Sequence, residues 1–249
     1  MKNDIKWLSY NDLAWIEPII TSTEVCREET ELYSKVIIDN SKTKPKRLLH
    51  LGCGAGMNDF TFKKYFTVTG VDLSQPMLKI AHRLNPEVNY IHGDMRKIKL
   101  TERFDAVAIP DSIAYMTTES DLRKALKTAY YHLNPGGICL IVAHIRDTFQ
   151  NNNFVYSGSQ GDIHITVFEN NYISSGTNYE ATIVYLIRRQ DNLDVFTDTH
   201  TLGLFDMRSW NNLFKETGFH LQQEEAPDTY ARFIAGEGEY PQYIFIAKK

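Results

Sequence analysis

The chain has 249 residues, room for one α/β domain with an elaboration or for two small domains, and 43% of it is apolar, enough to build a substantial core. Its 27 Lys and Arg are outnumbered by 31 Asp and Glu, for a formal net charge of −4, and no basic tract occurs. Phosphate-driven nucleic-acid binding is therefore not expected. No apolar run approaches the roughly 18 residues a membrane span requires, and the opening Met1-Lys2-Asn3-Asp4-Ile5-Lys6 has no apolar signal core. Three scattered cysteines, Cys26, Cys53 and Cys139, form no CxxC pair, so a cytoplasmic protein without disulfides or membrane attachment is expected.

Taken in chain order, an aromatic segment from Trp7 to Trp15 precedes a predicted helix over Thr23 to Asn40. From Lys46 to Val142 short apolar runs alternate with amphipathic stretches, the βαβ pattern of a doubly wound, mostly parallel sheet covered on both faces. Strands are predicted at Lys46 to Leu51, ending near Asp72, at Val88 to His92, at Phe104 to Ile109 and at Ile138 to Val142. Ser74 with Pro76 opens one helix, and Thr118-Glu119-Ser120-Asp121, a capping box with Asp in place of Glu, opens another that stops at Asn134-Pro135-Gly136-Gly137.

Beyond Phe149 the period changes. Asp162 to Tyr172, Tyr179 to Arg189 and Leu193 to Leu204 alternate and are rich in β-branched and aromatic residues, which predicts an antiparallel insertion of three strands. A helix over Met207 to Thr217 ends at Gly218, and Phe219 to Gln223 and Tyr243 to Ala247 complete seven strands in the main sheet. The expected division is a core of residues 1–148 and 205–249, with an N-terminal helical lid, and an insertion of residues 149–204 serving as a substrate cap.

The first strand runs into Leu51-Gly52-Cys53-Gly54-Ala55-Gly56-Met57. Glycines at alternating positions permit positive φ and let backbone N–H groups approach a ligand at the switch-point crevice. Twenty positions after Gly52, Asp72 ends the second strand, where its carboxylate can accept from both hydroxyls of a ribose. A dinucleotide fingerprint would place Gly or Ala at position 57, and Met57 there argues against it.

Four segments together resemble the class I S-adenosylmethionine-dependent methyltransferases, a Rossmann-like fold: Leu48 to Gly56, Gly70 to Leu78, His92-Gly93-Asp94-Met95-Arg96, and Leu133 to Gly137. The resemblance implies S-adenosylmethionine as cofactor, with Gly52, Gly54 and Gly56 along its methionine and ribose part and Asp72 on the ribose. It implies Leu73 and Met77 beside adenine, Asp94 accepting from the adenine amine, Met95 donating its backbone N–H to the ring, and Pro110 completing the cofactor site. The family's acid two positions before the first glycine is His50 here, a departure from the pattern.

Methyl transfer is an in-line displacement that mainly requires alignment of a nucleophile and exclusion of water. The N-methyltransferase signature of DNA-modifying enzymes, Asn or Asp followed by two prolines and an aromatic, is absent from Ile109 to Met116, and the Asp-Asn pair of catechol-type metal enzymes is absent from Arg146-Asp147-Thr148, so no metal is expected. His144, after the fifth strand, is the candidate base or orienting residue, with Tyr115 as its companion. Tyr10, Trp15 and Tyr115 are candidates for an aromatic wall that favours a cationic acceptor.

The insertion, leading into Thr199 to Phe205 and a helix, resembles the subfamily that includes amino-sugar N,N-dimethyltransferases. That resemblance implies a small-molecule or short-peptide acceptor, an amine in preference to a hydroxyl, and a homodimer through the inserted strands. Two other readings stay open: an O-methyltransferase with His144 as base, and a cofactor-binding module without transfer activity.

Overall fold

The computed structural model describes residues 7–227 and 229–249; the opening residues 1–6 lie outside the described residues. In chain order it contains α1 (Glu17–Ile20), α2 (Thr23–Asn40), β1 (Arg47–Leu51), α3 (Asp59–Phe62), β2 (Thr67–Asp72), α4 (Gln75–Leu84), β3 (Asn89–His92), β4 (Phe104–Pro110), α5 (Glu119–His132) and β5 (Leu133–Ala143). Then follow β6 (Asn152–Gln160), β7 (Ile163–Ser175), β8 (Asn178–Arg189), β9 (Asn192–Gly203), α6 (Met207–Thr217), β10 (His220–Glu225) and β11 (Tyr243–Lys248).

Seven strands form one sheet in the order β10-β11-β5-β4-β1-β2-β3, parallel except for β11, which runs antiparallel to both neighbours. Side-chain alternation along β1 sorts the core: Leu49 and Leu51 pack with α5 and α6 through Leu122, Leu126 and Phe214, while Leu48 packs on the other face with Ile37 and Phe62. The order reverses between β1 and β4, and the crevice beyond their carboxyl ends is where ligands bind in such sheets.

The helix boundaries follow their caps. Ser22 and Ser74 accept backbone N–H groups from Val25 and Met77, Asp206 accepts from Ser209, and Gly218 closes α6 in a left-handed conformation at φ 97°. Thr118 caps α5 through the Asp121 N–H, but Asp121 supplies only half a capping box, because its carboxylate is turned to Arg96 and Lys124.

The insertion is a separate antiparallel sheet of four strands, β6-β7-β8-β9, where three were expected. The unanticipated β6 is an edge strand of mostly polar sequence, and its Gly158 is fixed by packing: a Cβ there would lie 1.9 Å from the Ile19 carbonyl oxygen. Strand β5 likewise starts earlier than expected, at Leu133, because a register shift opposite Phe104 and Ala106 absorbs the glycine turn into the ladder.

The segment Leu8 to Ile20 is pinned between the two sheets. Leu13 and Ile16 pack on Ile165, Val167, Ile183 and Ile187 of the insertion, while Ala14 and Tyr10 meet Met57, Met77 and Ile80 beside the glycine loop. Cys26, Cys53 and Cys139 are unpaired and buried. Among the described residues no helix is long and apolar enough to cross a membrane.

Candidate functional site

All three loop glycines have positive φ, at 75°, 52° and 75° for Gly52, Gly54 and Gly56. They differ in what surrounds them. A Cβ on Gly52 would strike the Ser112 side chain at 2.2 Å and one on Gly56 the Tyr90 hydroxyl at 2.5 Å, whereas one on Gly54 meets nothing within 4 Å. The inner glycine therefore faces open crevice, the cradle a ligand needs, while the outer two are fixed by packing.

Asp72, at the end of β2, accepts from Gly54 N–H (2.8 Å) on one carboxylate oxygen and from Ser74 N–H (2.7 Å) on the other. Burial raises its pKa against those two bonds. Each oxygen keeps a second lone pair for a ribose hydroxyl. Leu73, beside it, is 60% exposed and available to a planar ring.

Met77 does not flank that opening. It is a core residue, 1% exposed among Ala14, Cys26, Ala55 and Ile80, because its position on α4 turns inward toward the N-terminal segment. Asp94 is held by a bidentate Arg96 pair (Nε–Oδ1 3.0 Å, Nη2–Oδ2 2.7 Å), and Arg96 bridges on to Asp121. Burial would raise Asp94, but Arg96 brings it below the ordinary carboxylate range. Met95 packs its methyl group over Gly52, and Pro110 ends β4 fully buried.

His50, in the place of the family acid, is backed by one. Its Nδ1–H donates to Asp59 Oδ1 (2.7 Å), Tyr90 donates to Asp59 Oδ2 (2.9 Å), and Asn85 donates to both Tyr90 (3.0 Å) and the Gly56 carbonyl (2.9 Å). A carboxylate absent from β1 is thus delivered nine residues later from α3, wired to the underside of the glycine loop.

Tyr115 projects from the short turn Ser112–Tyr115 after β4. Its hydroxyl lies 2.8 Å from the Tyr10 hydroxyl and 2.8 Å from His200 Nδ1, and the His200 Nε2–H donates to Asp198 (2.9 Å). Trp7 caps the group, 4.7 Å from Tyr115 and 5.1 Å from His200 between ring centroids. The aromatic wall expected from Tyr10, Trp15 and Tyr115 therefore has Trp7 in its third place. Trp15 instead lies under the Arg189 guanidinium, 4.8 Å away, where it packs the N-terminal segment onto the insertion.

His144 is 7% exposed at the end of β5, with its Nδ1–H donated to the Pro241 carbonyl (2.8 Å) and its ring 4.1 Å from Tyr240 and 5.6 Å from Phe149. Its position anchors the segment before β11.

Sequence reasoning passed over Asp198, His200, Glu169 and Asp111. Asp198 and His200 face inward at alternate positions of β9, a polar pair on a buried strand face that was a readable signal. Glu169, on the inner face of β7, accepts from Tyr156 (3.1 Å) and Asn171 (2.8 Å), and burial raises its pKa, as it raises that of Glu17. Asp111 had no sequence signal.

The glycine loop at the switch point, the carboxylate twenty residues on, and the aromatic group of Tyr10, Tyr115 and Trp7 are the parts that a group-transfer enzyme with a nucleoside cofactor requires. The methyltransferase domain family matches residues 48–137, so that segment is a methyltransferase domain and the chain is an S-adenosylmethionine-dependent methyltransferase.

The chain is 28% identical over 200 residues to the dTDP-3-amino-3,6-dideoxy-alpha-D-glucopyranose N,N-dimethyltransferase of Streptomyces fradiae, covering 79% of this chain and 78% of that one. It is 28% identical over 182 residues to the dTDP-4-amino-2,3,4,6-tetradeoxy-D-glucose N,N-dimethyltransferase of Saccharopolyspora spinosa, covering 70% and 72%. The sugar N-methyltransferase KedS8 from Streptoalloteichus shares the fold, with a TM-score of 0.79 over 100% of this chain and 96% of that one at 20% identity.

Proposed function

We propose that the protein methylates an amine on a small molecule or short peptide. S-adenosylmethionine supplies the methyl group when bound, held by Gly54, Asp72 and the adenine-side residues Leu73, Asp94 and Met95. One observation carries the choice of nitrogen: tyrosines and carboxylates crowd the region beyond β4, where Tyr115 meets Tyr10 and Tyr156 donates to Glu169. Burial raises the pKa of the acids Glu17, Asp111 and Glu169 and of the phenols Tyr10, Tyr156, Tyr179 and Tyr240, and Tyr179 and Tyr240 each feel the charge of both Asp111 and Glu169. Such surroundings favour a cation twice over, by charge and by the faces of the rings.

The two relatives named above are N,N-dimethyltransferases of amino sugars, which supports the same acceptor chemistry. Tyr10 and Tyr115 position the acceptor, and the inner face of the insertion roofs it. An O-methyltransferase with His144 as base is less well supported, since that ring is committed to Pro241 and Tyr240. The outer face of the insertion exposes Val155 opposite Phe168 on β6 and β7, and Leu193 and Val195 on β9, and we assign this face to a twofold contact between copies of the chain.

The test is incubation of the full chain with S-adenosylmethionine and three acceptors, read by mass spectrometry: a dTDP-linked amino sugar, a short peptide with a free amino terminus, and the dTDP sugar bearing hydroxyl in place of the amine. Methylation confined to the two amines is the expected result. Methylation of the hydroxy sugar alone would overturn the assignment.

A further inference from the structure

Asp111 directly follows Pro110 at the carboxyl end of β4 and is one of two non-glycine residues with positive φ in the described chain, at φ 54° and ψ −41°. The backbone around it is fully constrained. Its N–H donates to the Val142 carbonyl (3.1 Å), its own carbonyl accepts from Ala114 N–H (2.9 Å), and the next residue, Ser112, donates to the Leu51 carbonyl (3.0 Å) directly under Gly52. A strained conformation held from three sides at the switch point marks a side chain whose direction matters.

That direction is toward Gln242 and the segment before β11. The residue is exposed to solvent although its carboxyl is crowded by the surrounding chain. Gln242, from the start of β11's approach, donates its Nε2–H to Oδ1 (2.5 Å). The groups close enough for charge to act between them and Asp111 are Glu29, Cys26 and Tyr33 from α2, Tyr179 from β8, and Tyr230 and Tyr240 from the segment before β11. Among these groups there is no Lys or Arg: Arg232 acts on Glu29, and the one imidazole nearby, His144 at the end of β5, stands 4.1 Å from Tyr240 and 6.4 Å from Tyr179. Four phenol rings and a carboxylate with no Lys or Arg partner among the described residues offer a site for an alkylammonium ion.

We propose that Asp111 is the catalytic residue that receives the acceptor's ammonium group and removes its proton, an assignment that rests on the amine reading above. An N–H bond of the ammonium breaks and an O–H bond forms on Asp111. The freed nitrogen lone pair forms the N–C bond to the methyl group while the C–S bond breaks and its electron pair stays on sulfur. Asp111 then returns its proton to solvent. Its role is supported by the elevation of its pKa to about 7, caused by burial and by the neighbouring Glu29. A base poised there accepts a proton from an ammonium at neutral pH and releases it readily.

The experiment uses the full chain labelled with 13C at the aspartate carboxyls, with S-adenosylhomocysteine present and methylammonium chloride as the probe. One resonance, missing from Asp111→Asn, should titrate near pH 7 and shift its midpoint downward as methylammonium is added. A midpoint below about 5, or one that methylammonium leaves unmoved, overturns the proposal. Should Asp111→Asn not fold, Gln242→Leu assigns the same resonance by raising its midpoint, since it removes the Nε2–H donor. No change in any aspartate midpoint in Gln242→Leu likewise overturns the proposal.

Turnover of a dTDP-linked amino sugar should fall about a hundredfold in Asp111→Asn at pH 7 and recover as pH rises and the free amine accumulates. Because the titration reads the site without turnover, a protein that binds methylammonium yet methylates no amine refutes both the methyl-transfer reading and the proton-removal role.

Discussion

His50 Nδ1 and Asp59 Oδ1 lie 2.7 Å apart, with the two side chains 3% and 0% exposed. The pair is closed on its far side by Tyr90 and Asn85, so Asp59→Asn leaves a buried imidazole and a phenol competing for one amide oxygen. Removing one partner of a buried hydrogen-bonded pair costs about 3 kcal/mol, and His50→Ala with Asp59→Asn should therefore cost much less than the sum of the single changes. Urea unfolding of the four proteins measures this. Additive losses would show that the two side chains act independently.

Asp72→Ala should weaken S-adenosylmethionine by about 3 kcal/mol, roughly a hundredfold in Kd by calorimetry, because charged hydrogen bonds to the ribose vanish and Gly54 N–H loses its acceptor. Met77→Leu, a change in the core behind α4, should leave that affinity within about threefold, the range of a volume-conserving swap. Equal losses in both would mean that Met77 borders the adenine after all.

Tyr115→Phe removes the hydroxyl that joins Tyr10 to the Asp198–His200 pair. Acceptor kcat/KM should fall by about tenfold or more as the rings lose their mutual orientation, with cofactor Kd unchanged. His200→Ala should reproduce the effect, and the double variant should be no worse than either alone.

Asp111 also shapes stability. Its folded pKa of about 7 lies above the ordinary carboxylate value, so the native state binds more protons than the unfolded chain, and stability falls as pH rises from about 4 to 7. The penalty is complete above that range and absent below it. Asp111→Asn should accordingly raise Tm at pH 8 and leave it nearly unchanged at pH 4. Equal shifts at both values would exclude a carboxylate penalised by burial. An active-site acid that costs stability is the usual bargain between function and folding.

Replacing residues 150–203 by a Gly/Ser linker should abolish turnover while keeping cofactor binding within about tenfold, 1.4 kcal/mol, provided circular dichroism shows the sheet intact. The glycine loop, Asp72 and Asp94 all precede the insertion, although Tyr10 and Ser74 meet it indirectly through the N-terminal segment. A folded truncation without cofactor affinity would make the insertion part of the cofactor site.

Where local chemistry sets a boundary, the sequence was readable: Ser22, Asp206 and Gly218 delimit α2 and α6 residue for residue. The edge strand β6 escaped because polar residues and Gly158 satisfy a contact with Ile19 that lies far away in sequence. Trp7 and Trp15 could not be ranked, since both are aromatic residues of one segment and only the fold shows which one turns toward His200. Asp111 was illegible for a different reason, because a positive φ imposed by Val142 and Leu51 leaves no trace in residue type.

The lid and the roof meet across the length of the polypeptide: Ser9 N–H donates to Asp198, 189 residues away, and Leu13 and Ile16 bury against β7 and β8. During synthesis residues 7–20 emerge before the insertion, and although Tyr10 and Ala14 can meet Met57, Met77 and Ile80, Leu13 and Ile16 find no apolar partner until the inserted hairpins have left the ribosome. The parallel sheet from β1 to β5 is by then able to assemble, and its crevice is fully covered only when the segment Leu8 to Ile20 docks on the insertion. Closure is therefore the last event in folding and depends on contacts of the longest range, which are slow to form and leave apolar surface exposed meanwhile. A cofactor that binds the crevice early would shield the glycine loop during that interval, so newly made protein should reach its closed form in better yield when the cofactor is abundant.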